Sequence, residues 1–298
     1  MHGWQARSDI SGADLRQGAR RLSASNAHQN IWKVRKMAAG KETYLDKIVA
    51  QHRKRVAADR RDQKHLLDLL EGYPPAKKFR KALAEPGLSV IAEVKRRSPS
   101  KGDLFAGLDP ATLAKQYFEG GAACLSVLTD GPHFGGSAKD LEEASSAVTL
   151  PVLRKDFTVG AVDVLDARLM GADAVLLIAA VLSEEELGHF YQLAREVGLD
   201  VLVEVHDERE MEVALGLGAD LIGVNQRDLY TFEVDHERAV RMATLLPPSV
   251  IGVAESGVRG PKDAALLKEA GYQAVLVGET LVTSGDPAAA VAALRGSV

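Results

Sequence analysis

From Gly87 onward the chain alternates short, wholly apolar runs with longer stretches in which apolar residues recur every three or four positions. The apolar runs occupy 88–94, 122–128, 150–153, 173–179, 200–204, 219–224, 250–254 and 273–277. Runs this short and continuous, with no polar alternation, predict strands covered on both faces, as a parallel sheet requires. Between and after them, 109–119, 138–147, 160–170, 184–197, 207–217, 235–245, 261–270 and 287–295 carry the helical period. Gly120, Gly171, Gly198, Gly218 and Gly271 stand where a left-handed residue would stop a helix before the next strand. Eight such units fill the chain, and no GxGxxG follows the first run, which disfavours an open dinucleotide-binding sheet. The pattern predicts an α/β fold, a (β/α)8 TIM barrel.

Ahead of the barrel a helical extension is predicted. Leu45, Ile48, Val49, His52 and Val56 fall on one face from Tyr44 onward. The charged stretch Arg53 to Lys64 reads as the solvated side and continuation of that helix. After the break at Tyr73-Pro74-Pro75 a second short basic helix is expected over 76–84. The catalytic domain is therefore placed at 43–298, with the extra helices at 43–84. Residues 1–42 are rich in Arg, Ser, Ala, Asn and Gln and show no apolar face. They are expected to be a disordered leader, or a start assigned too early with Met37 as the true one. An organelle transit peptide has a similar Arg-rich, acid-poor composition. Asp9, Asp14 and the missing amphipathic stripe argue against it, so a cytoplasmic location is expected.

Composition narrows the classes of function. The single cysteine, Cys124, lies inside an apolar run, which points to a buried, inert thiol. Nothing approaches the ~18 uninterrupted apolar residues of a membrane span. The eight histidines are scattered, with no HxxxH or Cys/His cluster, so no metal is expected. Residues 1–41 carry eight basic and two acidic residues, a net of +6; with the whole chain at −4, residues 42–298 carry −10. A body this acidic offers no broad surface for nucleic acid. A local site for a phosphorylated small molecule is compatible with it.

Barrel enzymes carry their chemistry at the C-terminal ends of the strands. Those positions hold Glu93 and Lys95, Asp130, Lys155 and Asp156, Glu204, Asn225 and Arg227, and Glu255 and Ser256. A salt bridge or helix cap explains any one of them. Convergence of so many acids and bases at one mouth points to catalysis. The last two strands end in Glu255-Ser256-Gly257 and Val277-Gly278-Glu279, where glycines let backbone N–H groups approach an anion. Lys95 and Ser98 stand across the mouth from them. Phe134 and Phe157 are read as exposed loop aromatics that either anchor loops to the rim or line an apolar pocket.

These residues resemble the indole-3-glycerol phosphate synthase family of tryptophan biosynthesis. Glu-x-Lys-x-x-Ser-Pro-Ser stands at 93–100, Leu-Arg-Lys-Asp-Phe at 153–157 and Leu-Val-Glu-Val at 202–205. Gly-Val-Asn-x-Arg-Asp-Leu follows at 223–229 and Glu-Ser-Gly-Val at 255–258, while the family's Phe-x-Gly-Ser loop corresponds to 134–137. The resemblance covers roughly residues 43–298. Glu279 departs from it, standing where many relatives have a small hydroxyl residue; its carboxylate is expected to point away from the phosphate.

The resemblance implies a carboxy-lyase that converts 1-(2-carboxyphenylamino)-1-deoxyribulose 5-phosphate to indole-3-glycerol phosphate, carbon dioxide and water, without cofactor or metal. Other enzymes of the tryptophan pathway are the partners it suggests. Lys155 is expected to be the general acid for ring closure, aided if nearby cations or burial lower its pKa. Glu204 is expected to be the base for dehydration, and Lys95 the acid for the departing hydroxyl, the division between the two lysines being open. Glu93 would orient Lys95, and Glu255 the catalytic cations. Asn225 and Arg227 would hold the substrate's hydroxyl and carboxylate, and Phe134, Phe157 and Leu176 its aromatic ring. Ser98, Ser256, Gly257, Gly278 and Glu279 would take the phosphate. Two alternatives stand beside this reading. A phosphosugar isomerase barrel would want a cysteine–aspartate pair at the mouth, but Cys124 lies mid-strand; a silent scaffold would not need both lysines.

Overall fold

Eight parallel strands close on themselves in chain order: β1 (Ser89–Val94), β2 (Cys124–Leu128), β3 (Val152–Lys155), β4 (Ala174–Ile178), β5 (Asp200–Val205), β6 (Leu221–Asn225), β7 (Ile251–Glu255) and β8 (Ala274–Val277). Ser89 opposite Ala274 joins the last strand to the first. Apart from Asp200 and Lys155, every residue of these strands is buried. This explains runs without polar alternation: each strand faces side chains inside the barrel and helices outside. The computed structural model describes residues 43–296 except Ser100 and Ala106, so the expected leader at 1–42 lies outside the described residues.

The helix layer follows the strands: α4 (Pro110–Glu119), α5 (Ala138–Ala147), α6 (Ala161–Leu169), α7 (Glu184–Glu196), α8 (Glu208–Gly216), α9 (Arg238–Met242), α10 (Pro261–Glu269) and α11 (Pro287–Arg295). α9 is shorter than the predicted 235–245. It gives way to a 3-10 turn, Ala243–Leu245, and Leu246 before Pro247 is extended, because proline bars its predecessor from helical geometry. β3 runs two residues beyond its predicted end, so Lys155 belongs to the strand itself. Gly171, Gly198, Gly218 and Gly271 are left-handed as expected, but Gly120 is not: its φ is −71° and Gly121 takes the left-handed turn instead. Gly120 serves close approach, since a Cβ there would meet the Ala288 carbonyl oxygen of α11.

The extension is three helices: α1 (Tyr44–Ala58), α2 (Gln63–Leu70) and α3 (Phe79–Leu83). Thr43 and Asp46 form a reciprocal capping box at the start of α1, which buries Leu45, Ile48, Val49 and His52. The predicted continuation through Lys64 does not occur. Asp59 adopts an extended backbone and accepts from the Arg61 N–H and guanidinium, while Asp62 caps α2. Aspartates that bind nearby backbone compete with the helix in this way. α3 is narrower than the predicted 76–84. The Lys77 and Arg80 N–H groups are held by Asp173 and Asp200 at the N-terminal ends of β4 and β5. Phe79 and Leu83 are fully buried, and the Cys124 thiol points to the Phe79 carbonyl at 3.7 Å. Burial pushes that thiol's pKa well up, as an inert cysteine requires. No helix among the described residues is long and apolar enough to cross a membrane.

Candidate active site

Side chains of a strand alternate between the barrel interior and the helix layer. Taking Glu93 as inward, the same parity selects Lys95, Leu128, Lys155, Ile178, Glu204, Asn225, Glu255 and Gly278 near the C-terminal ends, and all of them line one cavity of about 350 Å³. Strand register puts them at one height, with Leu128 opposite Lys155, Ile178 opposite Glu204 and Asn225 opposite Glu255. Every site residue read from the sequence lines this cavity: the carboxylates and lysines, Phe134, Phe157 and Leu176, Ser98, Ser256, Gly257, Gly278 and Glu279, and Asn225 and Arg227.

Charge at the floor is organised around two lysines. Lys155 Nζ lies 3.3 Å from Glu204 Oε2 and 3.2 Å from Glu255 Oε2. Lys95 Nζ lies 2.6 Å from Glu93 Oε1. Burial alone would lower the Lys155 pKa, but the carboxylates of Glu255, Glu204 and Glu93 win and hold it above the ordinary lysine value. The condition set for a lowered pKa is therefore not met: burial does act in that direction, but the three acids around Lys155 outweigh it. The same logic runs in reverse for the acids. Burial pushes Glu93 and Glu204 up, but their lysines pull both carboxyls below the usual range, aided at Glu204 by His206 and Asn225. Glu255 goes the other way. Burial and the neighbouring Glu204 push it up to about 8 despite Lys155. Its Oε1 is buried without a hydrogen-bond partner.

Two glycines make room for this crowding. A Cβ on Gly223 would fall on Glu255 Oε1, and one on Gly278 would fall on Glu93 Oε1 and against Lys95 Nζ. Gly278 therefore serves the Glu93–Lys95 pair as well as the anion-binding loop. At that loop Ser256 is left-handed, with φ of 64°, followed by Gly257 with φ of 73°. Gln226 Nε2 donates to the Ser256 carbonyl at 2.7 Å and fixes the turn. The Glu279 carboxylate faces Lys101 Nζ at 3.6 Å.

The aromatic side departs from the sequence reading. Phe134 ends a one-turn helix, Gly131–Phe134, and is half-buried; Phe157 is 9% exposed. Neither is an exposed loop aromatic, because their rings pack together at 6.4 Å between centroids. Asp130 accepts from the N–H groups of His133 and Phe134, and Asp156 from that of Phe157. α1 ties these loops down: His52 Nε2 sits 2.8 Å from Asp130, Arg55 2.6 Å from Asp163, and Arg53 2.7 Å from Glu186. His52, Asp130 and Asp156 form the one His/Asp group among the described residues whose ligand-type atoms lie within 4.8 Å of one another. Asp156 is already engaged by Arg154 at 2.8 Å and Thr129 at 2.5 Å, which leaves little for a cation.

Several lining residues escaped the sequence reading. Leu229, Phe232, Val234 and His236 reach the cavity from the loop after β6, which folds back through the Arg227–Val234 bridge. The Arg227 guanidinium donates to the Phe232 carbonyl at 2.9 Å. Asn225 holds Glu204 Oε1 at 3.1 Å. His206, behind Glu204, was also missed; its signal was the period of two that continues from Leu202 and Glu204.

The chain matches the family model described as indole-3-glycerol phosphate synthase over residues 45–294. It is 50% identical over 236 residues to "Indole-3-glycerol phosphate synthase 2" of Streptomyces coelicolor, spanning 79% of this chain and 92% of that one. A Nocardioides protein named indole-3-glycerol phosphate synthase is 49% identical over 255 residues, 85% of this chain and 98% of its own. Among solved structures, a thiamine phosphate pyrophosphorylase from Pyrococcus furiosus superposes with a TM-score of 0.53 at 16% identity, over 70% of this chain and 94% of that one. That last likeness is one of fold alone.

Proposed function

The chain belongs to the indole-3-glycerol phosphate synthase family, and on that footing we propose how its barrel mouth performs decarboxylating ring closure and dehydration of 1-(2-carboxyphenylamino)-1-deoxyribulose 5-phosphate. The observation that carries the reading is Lys155 shared between Glu204 and Glu255, facing the Glu93–Lys95 pair across a cavity bordered by two phenylalanines.

The ring carbon that bears the carboxylate bonds to the ketone carbon, and negative charge builds on the ketone oxygen. A charged donor already in place stabilises that oxygen most where water is excluded. Lys155, kept protonated by its carboxylates, is that donor and passes its proton to the more basic alkoxide. Carbon dioxide then leaves and the ring regains aromaticity. Dehydration removes a proton and a hydroxyl. Glu204, held ionised, takes the proton, and Lys95 protonates the hydroxyl as it departs as water. Glu93 and Glu255 orient the two lysines. Asn225 and Arg227 hold the sugar hydroxyl and the carboxylate before it is lost. Phe134, Phe157 and Leu176 keep the aromatic ring against the carbonyl, a proximity effect on the order of several kcal/mol.

The phosphate is assigned to Ser98, Ser256, Gly257, Gly278 and the backbone N–H of Glu279, whose carboxylate faces Lys101. The reaction belongs to tryptophan biosynthesis, carried out in the cytoplasm, with other enzymes of that pathway as the partners to look for. Incubating the protein with the anthranilate-ribulose phosphate and following indole absorbance and fluorescence tests the reading. Absence of an indole product would refute it.

A further inference from the structure

His206 lies outside the roles assigned above, yet its ring is wedged between two carboxylates. Nε2 is 3.4 Å from Glu204 Oε1, and Nδ1 is 3.1 Å from Glu210 Oε2. Glu210 also accepts from the His206 backbone N–H at 2.7 Å, so one carboxylate on the first turn of α8 fixes both the ring and the chain that carries it. The His206 side chain is 9% exposed, and that of Glu204 is 2% exposed. A neutral imidazole has one donor nitrogen and one lone pair. Nδ1 is hydrogen-bonded to Glu210, whereas Nε2 is buried 3.4 Å from Glu204 Oε1 without hydrogen-bond geometry; with an acid beside each nitrogen, the site favours the doubly protonated ring.

We propose that His206 is a positioning residue for Glu204, its imidazolium fixed by Glu210 with Nε2 set beside Glu204, so that the candidate base stays ionised and turned toward Lys155. The proposal rests on the reading of Glu204 as the base and deepens it. Asn225 donates to Glu204 Oε1 at 3.1 Å and His206 Nε2 stands 3.4 Å from the same oxygen as a charge partner without hydrogen-bond geometry, while Oε2 faces Lys155. The charged groups acting on the ring are Glu210, Glu204 and Arg238. Burial and Arg238 oppose its protonation, the two carboxylates favour it, and the carboxylates win. Sequence spacing carries the device in compact form: His206 follows Glu204 by two residues, just past the end of β5, and His206 and Glu210 stand four apart across the strand-to-helix turn.

The test is the pH profile of kcat/KM, whose acid limb reports the essential base of the free enzyme. His206→Leu removes the cation beside Glu204, so the acid limb should move to higher pH by about one unit or more. Glu210→Gln keeps the ring but weakens its clamp and should move the limb the same way by less. An acid limb that stays in place while activity falls equally at every pH would overturn the proposal. If His206→Leu does not fold, the Glu210→Gln profile decides alone. NMR titration of 13C-labelled histidine gives an arm independent of turnover. His206 should titrate above the ordinary value of ~6.5 and fall in Glu210→Gln; a ring already neutral at that pH would overturn the clamp. Failure of the wild-type protein to make an indole product would sink the ring-closure reading and leave this NMR arm to judge His206.

Discussion

Lys155 and Glu204 meet at 3.3 Å although β4 separates their strands in the barrel wall. Their side chains cross the interior to do so, which makes the candidate acid and the candidate base each other's counterion before any substrate arrives. An alteration of either changes the electrostatic field that sets the other's pKa.

Replacement of Lys155 by alanine should lower kcat by at least ~10²-fold, the scale of a lost general acid, with a much smaller change in KM. Lys155→Arg should not restore turnover, because guanidinium does not release its proton near neutral pH. Steady-state kinetics of both variants decide the matter, and near-normal turnover in either removes Lys155 from the acid role.

Glu204→Gln keeps the shape and the hydrogen bond from Asn225 but cannot accept a proton. Dehydration should slow more than ring closure, so a single-turnover experiment should show the ring-closed, decarboxylated intermediate accumulating. If both steps slow together, Glu204 positions the substrate without acting as base.

Glu255 makes a prediction about stability. Its folded pKa is pushed up to about 8, above the unfolded value of ~4.3. The stability tied to its protonated form is therefore full below the unfolded pKa and lost as pH rises through about 8. Glu255→Gln, which never ionises, should gain melting temperature relative to wild type between about pH 5 and about pH 9. A difference in melting temperature that stays constant across that range would mean that Glu255 is ionised throughout.

Inorganic phosphate or sulfate should compete with substrate at the Ser256–Gly257 turn. Gly257→Asp should abolish that competition by setting a carboxylate against the anion. Gly257 is left-handed, and a Cβ there would press on Val234 and His236, so Gly257→Ala is the control for strain. Anion inhibition that survives in the aspartate variant, or is lost equally in the alanine control, would assign the phosphate elsewhere or make the effect steric.

The gathering of Glu93, Lys155, Glu204 and Glu255 at one mouth was legible in the sequence, because each stands at or just past the end of an apolar run. The direction of the Lys155 pKa was not. The three acids that raise it come from β1, β5 and β7, and only barrel closure brings them together. The break at Asp59 was hidden for a different reason: the residues that follow are strongly charged and fit a solvated helix face, while the competing bond from Asp59 to Arg61 is local side-chain chemistry. Phe232 and Val234 were missed because their approach depends on how the loop after β6 folds back. Glu204 was found because it ends an apolar run; His206, two residues on, was missed because that reading stopped at the strand's end.

α1 has a consequence for dynamics. Through His52, Arg55 and Arg53 it engages Asp130 after β2, Asp163 at the start of α6 and Glu186 on α7, and two of these contacts bear on the loops that carry Phe134 and Phe157. A helix tied to its loops in this way is expected to open with them as one cooperative unit. Backbone amides along α1 should then exchange with solvent at the same rate as those of Phe134 and Phe157, so that fraying of a segment ahead of the barrel is felt as loosening of the ring pocket within it.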